Sequence, residues 1–172
     1  MTMMAIDLYT SHTGGFMTSY DVGKNNSLYH NNGDGTFTQI TNLPIVNDSA
    51  YTRGHAWADL NNDGWLDLFL GNDGGGNIHQ NDFLYISDGQ GSFNQITTGE
   101  IVNDNGRTQG FALGDYDNDG FIDIFTSLDK LYHNNGDGTF TTDFYKNLIQ
   151  IHLNRHRYRN RPMFDHRCYV RQ

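Results

Sequence analysis

Short apolar runs separated by clusters of Asn, Asp and Gly set the rhythm of this chain. Trp65-Leu66-Asp67-Leu68-Phe69-Leu70 and Phe121-Ile122-Asp123-Ile124-Phe125 are aromatic and aliphatic runs bounded by turn residues, which is a strand signal. Leu28-Tyr29-His30 and Thr36-Phe37-Thr38-Gln39-Ile40 flank Asn32-Gly33-Asp34-Gly35, whose tolerance of positive φ predicts a hairpin. The same element recurs from Leu84 to Phe93 and from Leu131 to Phe140. Together these signals predict strands over about 52–58, 66–70, 82–87 and 92–97, then 108–114, 121–126, 130–134 and 139–142.

The two sets of strands are copies. Residues 37–69 and 93–125 align at a constant offset of 56, with 17 identities in 33 positions and no gap. Self-similarity at this period means repeated supersecondary units, and four-stranded antiparallel units in tandem predict an all-β chain of β-propeller blades. The reading gives a partial blade at 4–42, full blades at 43–98 and 99–143, and a basic non-repeat tail at 144–172. That is about two and a half blades, an incomplete propeller whose open sheet edges favour self-association. Two longer inserts, Gly71–Asn81 and Thr10–Ser27, read as surface loops, either a place for specificity or merely tolerated insertions.

Composition narrows the class. A chain of 172 residues allows one ordinary domain with a sizeable core. No apolar run approaches the ~18 residues of a membrane-spanning helix. Met1 to Asp7 lacks the charged and apolar segments of a signal peptide. The single cysteine, Cys168, excludes an intrachain disulfide framework and has no recognisable His partner. Net charge is −9, but unevenly placed: residues 1–143 hold 4 Lys/Arg against 19 Asp/Glu, while residues 144–172 hold 7 against 1. An acidic body repels nucleic acid and attracts cations. The tail run Asn154 to Arg161 reads as an arm for a nucleic acid or an anionic surface, or as the foreign terminus of a truncated or frameshifted gene.

The acidity is concentrated in two loops, Asp59 to Asp67 and Asp115 to Asp123, both of the form D-x-[DN]-x-D-G-x-x-D. Oxygens at positions 1, 3, 5 and 9 can converge on one point, with a glycine at 6 for the sharp turn and an inward carbonyl at 7. A set of that kind suits a hard cation taking six to eight oxygens, Ca²⁺ before Mg²⁺ or Zn²⁺. The alternative is a pair of Asn/Asp/Gly turns with solvated carboxylates. An EF-hand would need Glu at position 12, where Leu70 and Thr126 stand.

Loop and hairpin in this order resemble the FG-GAP/VCBS repeat family of integrin-α-type β-propellers, and within it the cartilage-acidic-protein-like group. Gly110-Phe111-Ala112-Leu113-Gly114-Asp115 to Gly120 and Leu131 to Phe140 carry most of the resemblance, which spans roughly residues 4–143. It implies Ca²⁺ held by Asp59, Asn61, Asp63 and Asp67 with the Trp65 carbonyl, and by Asp115, Asp117, Asp119 and Asp123 with the Phe121 carbonyl. Asp7 matches the ninth loop position with the preceding ligands missing.

The resemblance further implies a non-catalytic extracellular or cell-surface module for binding a protein or glycan. The alternatives are a carbohydrate-binding accessory module of a secreted polysaccharide-degrading enzyme, or a propeller fragment without independent function. The aromatics at position 7 are expected to pack between sheets. His30 and His133 read as hairpin surface residues, and Asn72 to Asn77 with His79 as a flexible loop.

Overall fold

The computed structural model describes residues 4–7, 25–74, 79–128 and 130–142. Eleven strands make three antiparallel sheets among these residues. The first contains β1 (Met4–Asp7), β2 (Ser27–Asn31) and β3 (Phe37–Ile40), paired in that order. In the second, β4 (Thr52–Ala58), β5 (Asp67–Asn72), β6 (Phe83–Ser87) and β7 (Phe93–Ile96) pair in sequence order. The third repeats this with β8 (Phe111–Gly114), β9 (Asp123–Thr126), β10 (Lys130–Asn134) and β11 (Phe140–Thr142). The protein is therefore all-β, a tandem of propeller-like blades.

Alternation along the strands puts apolar side chains on both faces of the middle sheet. Leu68 and Leu70 of β5 join Tyr85, Phe93 and Leu28 in one core. Phe69 between them points the other way, into a second core with Leu84, Ile124 and Tyr132. Phe69 meets Phe111 edge-on at 4.9 Å between ring centroids, which ties the second sheet to the third. Short 3-10 turns at Pro44–Val46 and Glu100–Val102 lead from each sheet to the next. They drive Ile45 and Val46 into the first core and Ile101 and Val102 into the second.

Several strand boundaries differ from the sequence reading. Trp65 and Leu66 stay in the acidic loop, so β5 begins at Asp67 and runs on to Asn72. Gly71 and Asn72 are buried strand residues rather than the start of a surface loop. Residues 75–78 of that insert, most of Thr10–Ser27 and the tail from 143 onward lie outside the described residues, as does Cys168. The eighth strand starts at Phe111 rather than 108, because Thr108 spends its backbone N–H on the Asn72 carbonyl at 2.8 Å.

Candidate functional site

Both acidic loops fold alike. The first residue's carboxylate caps the turn: Asp59 accepts from the N–H groups of Asp63 at 3.0 Å and Gly64 at 2.9 Å. Asp115 accepts from Asp119 at 3.1 Å and Gly120 at 3.0 Å. Two left-handed residues close each loop, Asn62 at φ 56° with Gly64 at 90°, and Asn118 at 62° with Gly120 at 92°. Asparagine tolerates that region better than most residues, and glycine enters it without strain. The asparagine at position 4 is part of the turn chemistry, a role the sequence reading assigned only to the glycine.

The ninth residue anchors the loop to the sheet. Asp67, fully buried, accepts from Leu60 N–H within the loop and from Ser87 N–H at the end of β6, both at 2.9 Å. Asp123 does the same with Tyr116 at 3.0 Å and Asn134 at 2.8 Å. Burial pushes the Asp67 carboxyl above the usual range against these bonds, and repulsion from Asp63 and Asp59 adds to it. A positive ion among these groups would relieve that repulsion.

The aromatics at position 7 do not pack between sheets. Trp65 is 46% exposed, and its indole lies on the hairpin glycine Gly89 of the same sheet. A Cβ on Gly89 would stand 2.4 Å from the indole nitrogen, and one on Gly136 would stand 2.4 Å from the Phe121 ring. Each ring thus clamps its loop to the neighbouring hairpin of its own blade.

Geometry brings some predicted residues together and adds one. One oxygen each from Asp115, Asp117 and Asp123 lies within 4.8 Å of the others, an all-oxygen cluster that could hold a hard cation. His133 of β10, which offers a ring nitrogen rather than an oxygen, forms a second group with Asp117 and Asp119. Its Nδ1 is 3.2 Å from Asp123 Oδ1 and 3.5 Å from Asp117 Oδ2. His133 is therefore not simply a surface residue of the hairpin; it faces the loop. His79 places Nδ1 3.0 Å from the Asn105 carbonyl.

At the opposite end of the strands lies a buried polar junction. Asp82 accepts from Asn72 N–H at 2.8 Å and from the Thr108 hydroxyl at 2.7 Å. Burial raises Asp82 to about 7, and nearby Asp104 adds to the shift. Asp104 in turn accepts from Lys130 Nζ at 2.9 Å and Tyr132 OH at 2.7 Å. One repeat earlier, Asn26 stands where Asp82 does and donates to Thr52 at 3.3 Å, and Asp48 accepts from Tyr85 OH at 3.2 Å. Burial raises Asp48 to about 6. Asp73 is held by Arg53 and Arg107 at 2.9 and 3.0 Å. Burial alone would raise Asp73, but these guanidiniums hold its carboxyl below the usual range. The identities Asp48/Asp104 and Thr52/Thr108 were signals of this junction in the repeat.

Tandem four-stranded sheets, each full one opening on an acidic corner loop, define a propeller-type repeat module. A family model for the FG-GAP-like repeat matches residues 9–70 and 60–126, and the chain belongs to that family. No curated protein matches it, and neither does any solved structure.

Proposed function

We propose that the chain is a non-catalytic, Ca²⁺-stapled repeat module that binds a protein or a glycan outside the cell. The observation that supports it most is the matching pair of loops. In the second, Asp115, Asp117 and Asp123 each bring an oxygen within 4.8 Å of the others, and in both the ninth carboxylate is already fixed by two backbone N–H groups. Asp59, Asn61, Asp63 and Asp67 would hold one ion, and Asp115, Asp117, Asp119 and Asp123 the other. A bound ion would neutralise clustered carboxylates and lock the turn.

The second loop carries four carboxylates against three, so it is the tighter site, within the ~10⁻⁴–10⁻³ M range of extracellular modules. At ten times Kd each ion adds about 1.4 kcal/mol of stability by linkage. Thermal melting in millimolar Ca²⁺ and in excess chelator tests this. A higher Tm with Ca²⁺ is expected; identical curves would remove the calcium reading. A glycan array with Ca²⁺ present tests recognition, with selective polysaccharide binding pointing to a glycan rather than a protein partner.

A further inference from the structure

The two acidic loops touch through side chains that serve both. Asn62, at position 4 of the first loop, donates its amide to the Gly120 carbonyl of the second at 3.1 Å. Asn134, at the end of β10, is fully buried and donates its amide to the Leu60 carbonyl of the first loop at 2.7 Å and to the Ile122 carbonyl of the second at 3.0 Å. Its backbone N–H is one of the two that fix Asp123. Asn134 thus bonds to backbone in both loops and to the ninth carboxylate of one.

We propose that Asn62 and Asn134 are positioning residues that couple the two loops, so that a cation bound at either one tightens binding at the other. The proposal rests on the calcium reading above. Drawing ligands onto an ion fixes the backbone of the whole loop. Leu60, Gly120 and Ile122 lie inside those loops, so ordering one holds carbonyls or amides of the other in place. The second ion then meets a loop that has less freedom left to lose. Reciprocity follows: each ion changes the other's affinity by the same factor.

Ser87 shows which substitution the fold accepts. It occupies the place of Asn134 in the second sheet and gives the same turn bond, Gly89 N–H to its hydroxyl at 3.1 Å. Asn134 gives that bond to Gly136 at 3.0 Å. Asn134→Ser therefore keeps the turn and removes the reach to Leu60. Asn62→Gly keeps the left-handed backbone and removes the amide, at an exposed position.

The test is a cycle on the full chain, titrated with Ca²⁺ by calorimetry and followed by tryptophan emission in a Trp57→Phe background, which leaves Trp65 of the first loop as the reporter. Asp119→Ala disables the second loop. With the asparagines intact, it is expected to weaken Ca²⁺ at the first loop about tenfold, within the ~5–150-fold span of allosteric coupling. In the Asn62→Gly/Asn134→Ser chain the same substitution is expected to change that affinity less than twofold. Asn62→Gly alone, which leaves the core untouched, is expected to give an intermediate factor. Two sites that fill independently in the unaltered chain would overturn the coupling and leave the calcium reading standing. An undiminished factor in the double variant would overturn the role of the asparagines. No Ca²⁺ binding at all in the unaltered chain would overturn both.

Discussion

Asp67 and Asp123 are buried and each joins a backbone N–H of its own loop to one at the end of the following strand, whereas Asp59 and Asp115 are less buried and take both of their N–H groups from within the loop. Asp67→Ala is expected to lower stability by about 2–4 kcal/mol even in excess chelator, because it strands two donors. Asp63→Ala, at an exposed position, is expected to show most of its effect only when Ca²⁺ is present. Melting both variants in chelator checks this, and equal losses there would refute the distinction. Gly89→Ala forces a side chain into φ +69° and against the indole. A loss of about 1–2 kcal/mol and a red shift of tryptophan emission are expected. The loops themselves were legible in the sequence because spacing and turn residues determine them locally. The approach of His133 was not, since it depends on how β10 pairs with β9 and swings back over the loop.

At the level of the strand and its partner, Asp82 and Thr108 fasten the β5–β6 connection to the entry of β8. The folded-state value of Asp82, about 7 against an ordinary 3.8, means the native protein holds a proton that the unfolded chain gives up. Stability from this group is full below about pH 4 and is lost as pH rises through about 7. Asp82→Asn should therefore stabilise the protein at pH 8, on the order of 3 kcal/mol, and make no difference near pH 4. Denaturant titrations at the two pH values decide it, and an equal effect at both would count against a buried neutral Asp82. Asn26, donating to Thr52 in the previous repeat, shows that the amide fits this setting. Strand existence was readable from apolar runs, but Gly71-Asn72 looked like a loop because burial, not composition, keeps them in β5. The 3-10 turns were hidden for a similar reason. Ile45-Val46 and Ile101-Val102 repeat visibly, yet only packing reveals that they plug the cores.

Across the whole molecule, identical repeat positions have unlike surroundings. Phe69 and Phe125 stand 56 residues apart in matching strands, but Phe69 is fully buried and Phe125 is 46% exposed. Phe69→Ala is expected to cost about 3–5 kcal/mol, and Phe125→Ala within about 1. Denaturant unfolding of the two variants measures the difference; comparable losses would mean that the third sheet is packed on both faces. A sequence repeat cannot convey this asymmetry, because it records what a blade is and not what lies beside it. The ninth carboxylate of each loop has a consequence for moving the site elsewhere. Asp123 is held from the far end of β10, and Asn134 in its turn is seated by the hairpin that follows. A nine-residue graft of Asp115 to Asp123 would arrive without its anchor. The smallest portable cassette is the loop with its hairpin, from Asp115 to Thr142, and an engineer or a gene duplication that cuts inside it loses the corner.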